Sequence, residues 1–220
     1  SYGPMLMLIG AVPVNVDVRR DTFHPDIAAI RKAITKKTRM IMVNSPCNPT
    51  GAVFTRVELQ EIVDLAVEFD LWIVSDEIYS RMIWSAECEH VSPFNLPGGK
   101  ERTMVVSGWS KTWAMTGMRL GMLTGPPSAM QAAIKAQANT ASHVPTFLME
   151  SAQAALTDCE DSVEKFSAEY RKRRELMMAG LKAIPGLAIV EPEGAFYIFV
   201  EIRGTGMTDI AFADEALVQG

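Results

Sequence analysis

Cysteine is scarce in this sequence, with three in 220 residues. Cys47, Cys88 and Cys159 stand far apart, and no Cys-x-x-Cys pair occurs. That spacing excludes a disulfide framework and a zinc site. It suits a reducing cytosol, so the expected location is cytoplasmic. Histidine is as rare, and His24, His90 and His143 show no metal-ligand spacing. Positive charge is in deficit: 21 Lys and Arg against 26 Asp and Glu leave a net charge of -5 and a pI near 5.3. Without a basic stripe, no nucleic-acid partner is expected. No apolar run approaches the length needed to span a bilayer, so no membrane partner is expected either. No signal peptide is recognisable. What remains is an ordinary globular composition, 48% apolar and 21% charged, enough for one large domain or one and a half. The chain opens on a pattern that reads as mid-domain and stops inside a helical one, which predicts a central fragment of a longer protein.

Three apolar runs read as strands buried on both faces: "RMIMVN" (39–44), "LWIVSD" (71–76) and "TMVVSG" (103–108). Between the first two lies "TRVELQEIVDLAVEFD". Thr55 and Glu58 form a capping-box pattern there, and Leu59, Ile62, Val63, Ala66 and Val67 recur at helical spacing. Strand, helix, strand predicts a right-handed βαβ unit. "RLGMLTG" reads as a fourth strand of open direction. Two helices broken near Pro145 come next, then a long charged helix over about 158–184 whose Arg171, Arg173 and Arg174 read as surface charges. "GLAIVEPEGAFYIFVEI" reads as two strands around a Pro-Glu-Gly turn. Met115, Met118 and Met122 read as core packing. The predicted fold class is α/β: a mainly parallel sheet with helices on both faces (1–157), then a linking helix and the start of a smaller α+β domain (158–220).

Ligands of open parallel sheets bind beyond the carboxyl ends of the strands. The first strand leads into "NSPCNPTG", the second into "DEIYSRM" with Asp76, Glu77 and Tyr79, and the third into "SGWSK" with Ser107, Ser110 and Lys111. Arg119 stands eight residues later. Taken singly, Asn48 is a turn residue, Asp76 a cap, Tyr79 a core residue, Arg119 a salt-bridge partner and Lys111 a solvated charge. Together in one crevice they are costly to bury unless a ligand pairs with them. A lysine amine forms a Schiff base with an aldehyde. A carboxylate such as Asp76 can keep a pyridine nitrogen protonated, Tyr79 and Asn48 can hydrogen-bond a phenolic oxygen, and Ser110, Ser107 and Arg119 can grip a phosphate. The ligand this set describes is pyridoxal 5'-phosphate.

The segments "NSPCNPTG", "VSDEIYSRM" and "SGWSKTWAMTGMRLG" resemble those of the class I/II aminotransferases, which are fold type I pyridoxal-phosphate enzymes. "GAVPVNVDV" and "EPEGAFYIFVEI" resemble the same family in order and spacing. The resemblance implies that Lys111 is the Schiff-base lysine, Asp76 the partner of the pyridine nitrogen, and Asn48 and Tyr79 contacts of the phenolic oxygen. It implies phosphate binding by Arg119 and a neighbouring serine, a cis bond before Pro49, and a homodimer acting on an amino acid and a 2-oxo acid. Many relatives carry a serine three residues before the lysine, where this chain has Gly108; Ser110 is then the expected phosphate contact, with Ser107 beside it. The resemblance also places a phosphate loop and a ring-stacking aromatic before Ser1 and a substrate-binding arginine after Gly220, so the 220 residues are not expected to be active alone. Two other readings stand beside the aminotransferase: a carbon–sulfur β-lyase of the same fold, and the sensor domain of a transcription regulator.

Overall fold

The computed structural model describes residues 2–219. A short helix α1 (Tyr2–Leu8) precedes α2 (Ile27–Ala33), which is capped by the Asp26 side chain accepting from the Ala29 amide at 3.0 Å. Strands β1 (Met40–Asn44), β2 (Trp72–Asp76) and β3 (Thr103–Gly108) lie side by side and parallel, within a residue of the runs expected from sequence. Asn44 pairs with Asp76, and Asp76 with Val106, so the carboxyl ends of the three strands are level. The crossover helix α3 (Arg56–Glu68) starts at the expected capping box, with Thr55 and Glu58 exchanging side-chain and backbone bonds. Its Leu59, Ile62, Val63 and Ala66 pack with Val43, Phe54, Leu71, Ile73, Val91 and Leu96 in the main core. Full burial of one such aliphatic side chain contributes about 1.5–3 kcal/mol. Val67 keeps the same period but faces solvent.

The fourth strand, β4 (Gly121–Thr124), pairs antiparallel with β3. It is the sheet's edge among the described residues, and all four of its positions are exposed. That corrects the expectation for the methionines: Met118 is 44% and Met122 46% exposed, because the edge strand and the turn before it have no layer over them. Helices α4 (Pro127–Thr140) and α5 (Thr146–Asp158) break at Pro145 as expected, and α6 (Glu160–Lys182) starts after a non-helical Cys159. Among the described residues, no helix is long and apolar enough to cross a membrane.

The expected tight hairpin after α6 is not what forms. Strands β5 (Ala188–Ile189) and β6 (Val200–Glu201) pair over two residues each, and residues 190–199 leave them as an extended strap. The strap's amides turn to the loops that carry Gly51 and Met82 instead of to each other. Glu193 and Gly194 donate to the Gly51 carbonyl at 2.9 and 2.8 Å, and Ala195 donates to Met82 at 2.8 Å. Arg174 of α6 helps hold the strap, donating to the Pro192 carbonyl at 2.9 Å, and so departs from the expected surface role. Arg171 and Arg173 are exposed as expected, Arg171 donating to the Trp84 carbonyl at 2.6 Å and Arg173 pairing with Glu169. A second tie joins helix and strap through His24, whose ring nitrogens face Glu58 at 2.8 Å and Glu193 at 3.1 Å. Burial pushes the Glu58 carboxyl up, but hydrogen bonds from Thr55 and His24 outweigh it and hold Glu58 below the usual carboxylate range.

Gly51 makes this docking possible. Its φ of +76° lies in the left-handed region, and a Cβ there would meet the Pro192 Cβ at 2.4 Å. Gly51→Ala is therefore expected to destabilise the protein by about 3 kcal/mol, combining positive-φ strain with overpacking. Chemical denaturation would show it; a loss below about 1 kcal/mol would mean that the strap is not seated on this loop.

Candidate active site

The loop after β1 turns through cis bonds at Ser45–Pro46 and Asn48–Pro49, of which the second was expected. Asn44, the last residue of β1, ties this loop to its neighbour. Its amide nitrogen donates to the Asp76 main-chain carbonyl at 3.0 Å, and its oxygen accepts from the Asn48 amide at 2.8 Å. One side chain thus fixes the backbones that carry Asn48 and Asp76. Asn44 opens the segment "NSPCNPTG", but nothing in that segment singles it out, because its role depends on β1 and β2 being adjacent.

Beyond the strand ends opens a cleft of about 700 Å³. All seven residues expected from the sequence line it: Asn48, Asp76, Tyr79, Ser107, Ser110, Lys111 and Arg119. Asn44, Thr116 and Tyr2 also line it, and none of these three is among the residues expected from sequence. Glu77, named only as part of the segment after β2, is not in the cleft. Next to Asp76 in the chain, it points away from the cleft and is buried, accepting from Ser92 at 2.6 Å and facing His90 at 2.9 Å. Successive side chains of an extended segment take opposite sides, and that alternation separates the two acids.

Asp76 is held by two donors. The Tyr2 hydroxyl donates to Oδ2, and the Ile78 amide donates to Oδ1 at 3.2 Å. Burial first, and then the Asp76 hydrogen bond and charge, push the Tyr2 phenol well above its ordinary range, so Tyr2 stays a donor at neutral pH. Tyr79 is buried, and burial first of all pushes its phenol up. Among the described residues, Lys111 forms no ion pair. Its Nζ lies 5.9 Å from the Tyr79 ring centre and 5.3 Å from that of Phe196. Cation–π attraction of this kind is worth about 0.5–2 kcal/mol and leaves the amine's own hydrogen-bonding capacity open.

Arg119 sits in the left-handed region at φ 54°, ψ 40°, just after the single 3₁₀ turn Thr116–Met118. Its Nη1 donates to the Thr116 carbonyl at 3.0 Å, so one guanidinium edge is fixed and other donors remain for an anion. Ser107, Ser110 and Thr116 line the same cleft. The serine absent at position 108 has a steric cause. A Cβ on Gly108 would lie 2.7 Å from the Leu120 carbonyl oxygen and 3.1 Å from the Gly121 Cα, where β4 crosses β3 closely. A lysine amine, a carboxylate, a phenol, a guanidinium and several hydroxyls in one cleft fit an aldehyde-bearing pyridine phosphate. Among the described residues, no group of three or more His, Cys, Asp or Glu could hold a metal ion.

Comparison with known proteins agrees with this donor set. The family model for aminotransferase class I and II matches residues 1–219. An aspartate aminotransferase of Pyrococcus abyssi is 40% identical over the whole chain, which covers 57% of that protein. An aromatic-amino-acid aminotransferase of Thermococcus litoralis is also 40% identical, over 97% of the chain and 55% of its own length. Among solved structures, an aromatic aminotransferase from Pyrococcus horikoshii superposes with a TM-score of 0.93 at 42% identity, covering 97% of this chain and 57% of that one. The aspartate aminotransferase of Thermus thermophilus with maleate gives 0.92 at 37%, covering 100% and 57%. The chain spans a little over half the length of the curated relatives it matches. With a family model that matches all but its last residue, the chain belongs to the class I and II aminotransferases.

Proposed function

We propose that this chain carries the catalytic core of a pyridoxal-phosphate-dependent aminotransferase that moves an amino group between an L-amino acid and a 2-oxo acid, with the cofactor attached at Lys111. The observation that carries the reading is the Lys111 amine, without an ion pair among the described residues and set against Tyr79 and Phe196, in the cleft that Asp76, Asn48 and Arg119 also line. When bound, pyridoxal phosphate supplies an electron sink for charge that develops at the amino acid's α-carbon. The chain's residues do the rest. Lys111 would provide the covalent tether, and its amine, once released, would take the α-proton and return it beyond the nitrogen, at the cofactor's carbonyl-derived carbon. Asp76 holds a proton on the pyridine nitrogen, with Tyr2 and Ile78 fixing the carboxylate. Tyr79 and Asn48 donate to the phenolic oxygen. Arg119, with Ser110, Ser107 and Thr116 around it, grips the phosphate.

Borohydride reduction of the cofactor-loaded full-length gene product, followed by peptide mass spectrometry, tests the reading. One phosphopyridoxyl group on Lys111 is expected. Labels scattered over exposed lysines, or none, would sink it. Arg119→Ala tests the phosphate end separately. Losing a charge-assisted bond of about 1.5–3 kcal/mol is expected to weaken cofactor affinity roughly 10- to 100-fold. A cofactor titration followed by absorbance measures it, and unchanged affinity would remove Arg119 from the phosphate site.

A further inference from the structure

We propose that Tyr197 is a positioning residue for the reaction, holding and polarising the hydroxyl of Tyr79. The two phenolic oxygens are 2.7 Å apart, and the rings meet edge to face with centres 5.7 Å apart. The inference rests on the cofactor reading above. Tyr197 does not line the cleft itself, so it acts only through Tyr79.

Donor count sets the direction of this bond. A tyrosine hydroxyl has one proton to give and can accept as well. If Tyr79 gives its proton to the cofactor's phenolic oxygen, the contact with Tyr197 must run the other way, with Tyr197 donating. A donated bond makes Tyr79 a stronger donor in turn, because hydrogen bonds in a chain polarise one another in a low-dielectric interior. Tyr79 is buried. Tyr197 is also firmly placed. The strap residues before it are bonded to Gly51, Met82 and Trp84, and Phe196 packs edge to face on Tyr79 at 5.4 Å and stacks on Tyr170 at 5.3 Å. A hydroxyl carried on so many fixed contacts has little freedom to turn away. The strap therefore brings a proton donor from the far end of the chain to the back of an active-site phenol.

A stronger donor on the phenolic oxygen favours the form of the bound cofactor that has lost its titrating proton. Tyr197→Phe keeps the ring and its packing but removes the donor, so the proton should be held to higher pH. The test is an absorbance-against-pH titration of pyridoxal phosphate bound to the full-length gene product, wild type and Tyr197→Phe. The midpoint is expected to rise by about half a pH unit in the variant, the size of a partial loss of one hydrogen bond's polarisation. The same substitution made on a Tyr79→Phe background is expected to move the midpoint no further, because the relay is already cut. A Tyr197→Phe midpoint equal to wild type overturns the proposal, and so does an undiminished shift in the double variant, which would place Tyr197 on another route. If the wild-type protein takes up no cofactor at Lys111, the functional reading fails and this inference fails with it. Normal uptake with matching titrations defeats the inference alone.

Discussion

Lys111→Ala is expected to abolish borohydride-fixable cofactor labelling and to lower turnover by about 10⁴-fold or more, since both covalent attachment and proton transfer depend on that amine. The fold should hardly register the change. The ammonium makes two cation–π contacts and no ion pair among the described residues, so its removal costs the structure roughly 1–2 kcal/mol at most. A large kinetic effect with a small thermal one is the signature of a group held for chemistry. The experiment pairs steady-state kinetics with a thermal melt of the same preparation. A variant within tenfold of wild-type turnover would show that Lys111 is a spectator in the cleft.

Asp76→Ala should be the next most damaging substitution, lowering turnover by about 10²- to 10⁴-fold, the range for removing one preorganised electrostatic partner. The loop architecture should survive, because Asn44 donates to the Asp76 main-chain oxygen and is indifferent to the side chain. What is lost on the protein side is the acceptor for Tyr2 and the Ile78 amide. Asp76→Asn removes the charge but keeps an acceptor oxygen for one of the two donors, which tests the charge with less structural loss. If charge at the ring nitrogen is what matters, the Asn variant will be nearly as slow as the Ala variant. Wild-type transamination by Asp76→Ala with cofactor bound would end the proposed role.

The strands, the crossover helix and its cap were legible because each rests on local patterning: apolar runs of strand length, helical spacing from Leu59 to Ala66, and the Thr55–Glu58 box. That seven polar residues would share one cleft was legible because parallel strands bring the loops at their carboxyl ends to one edge of the sheet. Features that depend on distant partners escaped. Asn44 looks like the last residue of a strand until β2 lies beside it. The pairing of Glu77 with His90 and Ser92 likewise joins residues that no local pattern connects. The segment 190–199 has the residues of a hairpin, yet its amides find better partners at Gly51 and Met82. Arg174 lies in a charged run that reads as solvated, but it turns to the strap and donates to the Pro192 carbonyl. Met118 and Met122 show the opposite failure, apolar side chains left on an edge strand.

The strap also sets a timetable. Its bonds join residues far apart in sequence: the Tyr79–Tyr197 pair spans 118 positions, and the bond from the Val53 amide to Glu193 spans 140. Contacts of such separation form late, since loop-closure entropy must be met before they contribute. At ribosomal rates of about 5–20 residues per second, Tyr197 is made roughly 6–25 s after Tyr79. Lys111 precedes Phe196 by 85 residues, roughly 4–17 s at that rate, and in that time β1, β2 and β3 can pair while Lys111 lacks the Phe196 side of its aromatic enclosure. The nascent chain thus carries Lys111 and the strand-end loops for several seconds before it carries the aromatic wall that encloses that amine.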